Sequence, residues 1–264
     1  MNIIVSAISA DFGRFSEEEN CQRNTWASKA EKNVKVFWVK AKPELSKPVL
    51  DERNTLKIPG EESVPNVLRK RVLSTKYIMS NFNPEFLVLT NSSSYIDLAL
   101  LGNDLSKIKD LSFFGGYLNL QVNPSFPLFM ESFVNGGYMV LSRKAARSLV
   151  KLNPANYVGL ADDLAISKFL NESGFQAKPL RISNVAEGKP FQSEITYFRI
   201  RHIAKPKITQ KRMNEIYQLK QGTGSIDLFI LKESIRMNRE IAEYSKSRKR
   251  IWTSALHYLK VFIS

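Results

Sequence analysis

The chain is poor in the residues that build metal centres and covalent staples. Among its 264 residues are one cysteine and two histidines, namely Cys21, His202 and His257. A single thiol closes no intrachain disulfide, which favours a reducing compartment, and a zinc site of Cys and His ligands lacks donors. Long apolar runs are also missing. Residues 111–130 carry no charge, but Gly115, Gly116, Asn119, Gln121, Asn123, Pro124 and Pro127 make them too polar and too broken for a membrane-spanning helix. The opening Met1–Ser9 has neither the basic leader nor the apolar length of a secretory signal and reads as a buried strand. A cytoplasmic or peripheral protein is therefore expected. No internal repeat or low-complexity block interrupts the chain.

What is present suits one large core, since 43% of the residues are hydrophobic. Strands are expected at Asn2–Ala7, Val34–Val39, Phe86–Thr90, Phe113–Leu118 and Tyr138–Leu141. Helices are expected where Val64, Val67, Leu68, Val72, Ile78, Met79 and Phe82 recur at helical spacing, and again at Ala145, Ala146, Leu149 and Val150. Alternation of this kind predicts an α/β fold, a mainly parallel sheet with helices on both faces. The stretch Ala41–Pro65, with prolines at 43, 48, 59 and 65, reads as a loop over the sheet edge. One domain over residues 1–220 and a tail over 221–264 is the simplest division.

Charge is strongly one-sided. The chain carries 39 basic and 25 acidic residues, a net +14, which attracts anionic partners without naming them. One basic group runs from Arg199-Ile-Arg201-His202 through Lys205, Lys207, Lys211 and Arg212. A second, Lys246-Ser-Arg-Lys-Arg250, precedes an apolar stripe at Ile251, Trp252, Ala255, Leu256, Leu259, Phe262 and Ile263. The second group has the composition of an amphipathic helix lying on an anionic membrane surface; packing on the chain's own domain or on a partner is the alternative. A nucleic-acid-binding protein would share the charge and the aromatics. No RNA-recognition, zinc-finger or helix-turn-helix pattern is present, however, and the aromatics fall mainly in apolar runs, so a nucleic-acid partner is not expected.

Two segments about twenty residues apart carry the chemistry. Phe133-Val-Asn-Gly-Gly-Tyr-Met-Val-Leu-Ser142 reads as a strand gated by Gly136 and Gly137 that runs into a helix. Ala161-Asp-Asp-Leu-Ala-Ile-Ser-Lys-Phe-Leu170 sets two carboxylates at a helix start. Paired glycines allow a ligand or another backbone to come close, or simply form a bulge. Asp162 and Asp163 are candidates for acid/base work, or for capping.

Taken in order, these segments resemble the fringe-like β-1,3-glycosyltransferases of the GT-A fold, in particular their bacterial and viral branch. The similarity covers roughly residues 1–215. It comprises Arg23-Asn-Thr-Trp26 after the first strand, Val34-Lys-Val-Phe-Trp-Val-Lys40, the helix bearing Lys70, Phe86-Leu-Val-Leu-Thr-Asn-Ser-Ser-Ser-Tyr95, the Gly136-Gly137 segment, and Asp162-Asp-Leu-Ala-Ile-Ser167 in place of a Glu-Asp-Val-x-x-Gly motif. Where the family carries Asp-x-Asp to hold a divalent metal, this chain has Asn91-Ser92-Ser93, and neutral oxygens hold a hard cation poorly. A Mn or Mg cofactor is accordingly doubtful.

The resemblance implies an inverting hexosyltransferase that takes a sugar from a nucleotide-sugar, UDP-linked by family preference, to a hydroxyl of a glycan or lipid-linked saccharide. Polysaccharide or lipopolysaccharide synthesis at the inner face of a cytoplasmic membrane is the setting it suggests. It implies Asp163 as the base and Asp162 as the group that holds the donor sugar or orients the site. Donor contacts are implied for Arg23, Lys70, Thr90, Asn91, Ser92, Ser93, Gly136 and Gly137, with Arg199 and Arg201 placed to stabilise the departing diphosphate. With Asp-x-Asp missing, an inactive module that binds a sugar or lipid carrier is the other reading.

Overall fold

The computed structural model of the protein describes residues 1–123, 126–180, 183–184, 197–199 and 206–221. Strand β1 (Ile3–Ile8) lies inside an eight-stranded sheet, paired in parallel with β2 (Val34–Lys42) on one side and β5 (Phe86–Asn91) on the other. Every residue from Ile3 to Ala7 is buried, because both faces of the sheet are covered, and a strand so placed reads as a continuous apolar run.

The order across the sheet is β3-β4-β2-β1-β5-β8-β7-β9. Here β3 is Val49–Leu50, β4 Thr55–Pro59, β7 Phe114–Asn123, β8 Phe126–Ser142 and β9 Ala177–Pro179. The sheet is mixed and mostly parallel, with β3 and β8 running against their neighbours. A second, three-stranded sheet sets β11 (Tyr197–Arg199) between β10 (Ser183–Asn184) and β6 (Ser94–Ile96).

Alternate residues of the strands feed two cores. On one face Ile3, Val5, Trp38 and Val88 meet Leu101 of α3 (Leu98–Ser106) and Met213 of α6 (Pro206–Lys220). α1 (Arg14–Asn24) packs against α6, where Gln210 Nε2 donates to Glu17 at 2.7 Å. On the other face Ile4, Val39 and Leu89 meet Leu68 and Ile78 of α2 (Val67–Asn81), Leu149 of α4 (Arg143–Leu149) and Ile166 of α5 (Asp162–Glu172). Among the described residues no helix is long and apolar enough to cross a membrane.

The expected loop over Ala41–Pro65 needs correction: β2 runs on to Lys42, and β3 and β4 form a hairpin that extends the sheet. Its turn is built by Asp51, whose Oδ1 accepts from the backbone N–H of Arg53 (3.0 Å) and Thr55 (2.8 Å), with Asn54 at φ 58°. Pro59 sits at the last residue of β4, a strand end where a missing donor is tolerated. The expected amphipathic tail helix over 246–264 lies outside the described residues.

Candidate functional site

Opposite the single residue Tyr117 of β7, strand β8 has four residues, Asn135 to Tyr138. Gly116 makes room for this bulge: its φ is +156°, and a Cβ there would lie 2.1 Å from the Tyr138 carbonyl oxygen. Bulges turn backbone groups out of the ladder and re-aim them. Here the freed groups of Gly136 are taken by side chains, its N–H donating to Asp163 Oδ2 at 3.1 Å and its carbonyl accepting from Arg71 Nη2 at 2.9 Å. Gly137 donates to Asn135 Oδ1 at 2.9 Å and accepts from Thr90 Oγ1 at 2.6 Å.

The double glycine is thus a bulge, and what comes close to it is the chain itself. A Cβ on Gly136 would meet Asp163 Cβ at 3.2 Å and Asp162 Oδ2 at 3.4 Å, and one on Gly137 would meet the Tyr197 hydroxyl at 2.7 Å and Asn91 Nδ2 at 3.4 Å. Because the glycines are consecutive, the acidic start of α5 and the turn after β5 flank one stretch of backbone. That stretch lies where β1 and β5 end, the side on which open α/β sheets take ligands.

Ala161 holds the N-cap position of α5 without a side-chain bond, and Asp163 does part of a cap's work, its Oδ1 accepting from the first-turn N–H of Leu164 at 3.0 Å. Their environments differ. Asp162 Oδ2 faces Arg71 Nε at 3.4 Å. Asp163 is half-buried, and burial pushes its carboxyl above the ordinary value of 3.8, against the bond from Gly136 and with the help of the neighbouring Asp162 charge. A carboxylate raised in this way is a stronger base and takes up a proton more readily.

Arg71, which the sequence reading passed over, ties the region together. It is 2% exposed and reaches Asp162, the Gly136 carbonyl and, at 3.3 Å, the carbonyl of Ser6 in β1. Burial lowers its pKa while Asp162 opposes the shift; a guanidinium stays charged all the same. Its position on the apolar face of α2, three residues after Leu68 and one before Val72, was the available signal.

The turn after β5 is held from below. Gln22 Nε2 donates to the carbonyls of Asn91 (3.0 Å) and Ser94 (2.9 Å), and its Oε1 accepts from Trp38 Nε1 at 2.9 Å. Asn91 Oδ1 accepts from the hydroxyls of Ser93 (3.0 Å) and Ser94 (2.8 Å), and Ser92 donates to the buried Glu18. These donors do not fit a hard divalent cation: the amide oxygen and the Ser92 hydroxyl already serve the turn, and among the described residues no cluster of three or more His, Cys, Asp or Glu side chains could hold one.

Arg23 and Lys70 bond none of the bulge residues and belong instead to a network along β1, β2 and the start of β4. Arg23 pairs with Glu19 at 2.8 Å, bonds Thr55 Oγ1 at 3.0 Å and stacks 3.6 Å over the Trp38 ring. Lys70 donates to the Ser9 carbonyl (2.7 Å) and to Glu62 (2.6 Å), and burial draws its pKa down against the pull of Glu62. Lys40 joins Glu19 and Asp11 at 2.9 and 2.8 Å, and Lys42 reaches Asp11 at 2.7 Å. The hydrogen bonds with Lys40 and Lys42 hold Asp11 at about 2. Arg199 pairs through its backbone with Ser94, beside the β5 turn, whereas Arg201 lies outside the described residues.

No protein-family model matches the chain, and no curated protein matches it. Among solved structures it is similar to one described as the crystal structure of a glycosyltransferase involved in the glycosylation of the major capsid of PBCV-1. That match has a TM-score of 0.49 and 10% identity, and covers 81% of this chain and 99% of that one. At that level the likeness carries no argument about activity.

Proposed function

We propose that the chain is an inverting glycosyltransferase of the fringe-like, GT-A type, with Asp163 as the base. The observation that carries this reading is the half-buried Asp163 carboxylate, oriented by the Gly136 N–H and raised above its ordinary value beside the bulge that also meets Asn91. In the reaction Asp163 takes the proton of an acceptor hydroxyl as that oxygen attacks the anomeric carbon and the nucleoside diphosphate leaves from the opposite side. Asp162, held by Arg71, keeps the negative charge beside Asp163 that favours its protonated form.

The donor is a UDP-sugar lying across the turn Asn91–Ser93, with the diphosphate assigned to Arg199 and Arg201; Thr90, 0% exposed and bonded to Gly137, and Lys70, bonded to Ser9 and Glu62, support the site from within. No step needs a metal in this scheme, because the cations supply the positive charge. The acceptor is a glycan or lipid-linked saccharide, and residues 246–264 hold the protein on the inner face of an anionic membrane, as in surface polysaccharide or lipopolysaccharide synthesis. Residues 1–220 form the transferase domain and 221–264 the tail.

A second reading, an inactive sugar- or lipid-carrier-binding module, is favoured by the internal bonding of Asn91 and Ser92. Hydrolysis of a panel of nucleotide sugars by the wild type and by Asp163→Asn, each with and without manganese or magnesium, separates the two. The transferase reading expects turnover of one donor, no gain with metal, and a loss of roughly 100-fold or more in the variant. Binding without turnover supports the second reading, and full turnover by Asp163→Asn defeats the base assignment.

A further inference from the structure

At the opposite end of the strands, where β1 and β5 begin, a cavity of about 920 Å³ opens between α4, the end of α3 and the segment after α5. Its size is at the upper end of the roughly 300–1,000 Å³ of small-molecule sites. The floor is apolar, formed by Phe86, Leu105 and Phe175, and Leu111, 84% exposed, stands at the rim.

One wall is cationic. Arg143, Arg147 and Lys151 follow one another at four-residue spacing on and just after α4, with Lys144 beside them. The two acids of the lining already have partners: Glu85 lies 3.8 Å from the ammonium of Met1, itself in the lining, and Asp110 lies 2.7 Å from Lys178. Among the described residues none of the four cations forms an ion pair. Arg143 gives Nε to the Pro84 carbonyl (3.2 Å) and Arg147 gives Nη2 to Asn83 (3.1 Å), which leaves the other nitrogens of each guanidinium without a hydrogen-bond partner among the described residues. Like charges at this spacing repel, and an anion seated between them removes the repulsion.

We propose that this cavity binds an anionic amphiphile, an apolar chain bearing a phosphate head group. The chain lies on the Phe86, Leu105 and Phe175 floor and the phosphate is taken by Arg147 and Lys151, since guanidinium forks match phosphate oxygens two at a time. The protein's own apolar stripe at 251–263 is the less suitable occupant, because it follows Lys246-Ser-Arg-Lys-Arg250 and would bring cations to a cationic wall. This site is independent of the proposed transferase activity.

The test is calorimetric titration of the full chain with decyl phosphate below its micelle concentration, beside decyl maltoside and inorganic phosphate. Decyl phosphate is expected to bind at least about tenfold more tightly than either, and R147E/K151E to lose at least about tenfold in affinity with an unchanged melting temperature. Leu111→Asp should weaken binding as well. Equal affinity for the maltoside or for free phosphate, wild-type affinity in R147E/K151E, or no binding by the full chain each overturns the proposal.

Discussion

At the C-terminal ends of β1, β2 and β5, Arg23, Lys40, Lys70 and Arg71 each meet a carboxylate. At the N-terminal ends Arg143, Lys144, Arg147 and Lys151 form no ion pair among the described residues, and only Lys144 acts on a carboxylate, that of Asp110, through space. The residue types are alike and the wiring is opposite. At the first end cations and acids hold one another and, through Arg71, hold a strand bulge, so the Asp163 carboxylate is set in place before any ligand arrives. At the second end the cations are held only by carbonyl, amide and hydroxyl oxygens, as where Lys144 Nζ donates to Ser112 at 3.1 Å. Their charge is left for something outside the chain. A wired end resists change as a unit, whereas an unwired end changes residue by residue.

The largest effect expected at the wired end is on the proposed transfer. Asp163→Asn keeps an acceptor for one of the two backbone N–H groups that Asp163 holds, those of Gly136 and Leu164, and loses the proposed base, so steady-state turnover should fall by about 10²–10⁴-fold with the fold intact by circular dichroism. Next comes Arg71→Met, which removes a buried charge from Asp162 and takes the guanidinium bonds away from two carbonyls, those of Ser6 and Gly136. Urea unfolding should show a loss of about 3 kcal/mol. If the loss is under about 0.5 kcal/mol, the level of an ordinary surface change, the two ends do not differ in the way described. Smaller again is Gly137→Ala, whose Cβ would lie 2.7 Å from the Tyr197 hydroxyl. Tyr197 is stacked on Tyr138 with ring centroids 4.5 Å apart and has little room to yield, so the same measurement should show about 1–3 kcal/mol.

Legibility in the sequence followed periodicity. β1, β2 and β5 are expected at nearly their observed bounds because two covered faces require uninterrupted apolar strands, and α2 follows from its helical stripe. The hairpin of β3 and β4 was missed because four prolines outweighed the turn chemistry of Asp51 and Asn54. The expected strand Tyr138–Leu141 is only the end of β8, since the broken, uncharged stretch before it gives no alternation to read. At the site, Gly136, Gly137, Asp162 and Asp163 stand out as residue types and meet in space. Arg71, Glu18 and Gln22 do not stand out, because their roles are set by long-range contacts: Gln22 acts on carbonyls some seventy positions away. What local pattern cannot show is which strand lies next to which, and the bulge exists only because β8 runs antiparallel between β5 and β7.

The smallest effect has the most telling sign. Asp11 and Asp163 belong to the same wired end, yet their carboxyls are displaced in opposite directions from 3.8, Asp11 down to about 2 by Lys40 and Lys42, Asp163 upward by burial. For Asp11 the unfolded chain binds the proton more tightly, so its contribution is present above pH 3.8 and is lost as pH falls through 2. For Asp163 the folded chain binds the proton more tightly, so stability declines as pH rises from 3.8 through the raised value. Asp11 is 47% exposed, and solvent screening keeps its share modest. Urea unfolding of wild type, Asp11→Asn and Asp163→Asn between about pH 2 and pH 7 should therefore show the two variants diverging from the wild type in opposite senses as pH rises, Asp11→Asn losing and Asp163→Asn gaining. Parallel curves would mean that Asp163 titrates as an ordinary surface carboxylate, and the acid limb of any pH–rate profile would then lie at 3.8 instead of above it.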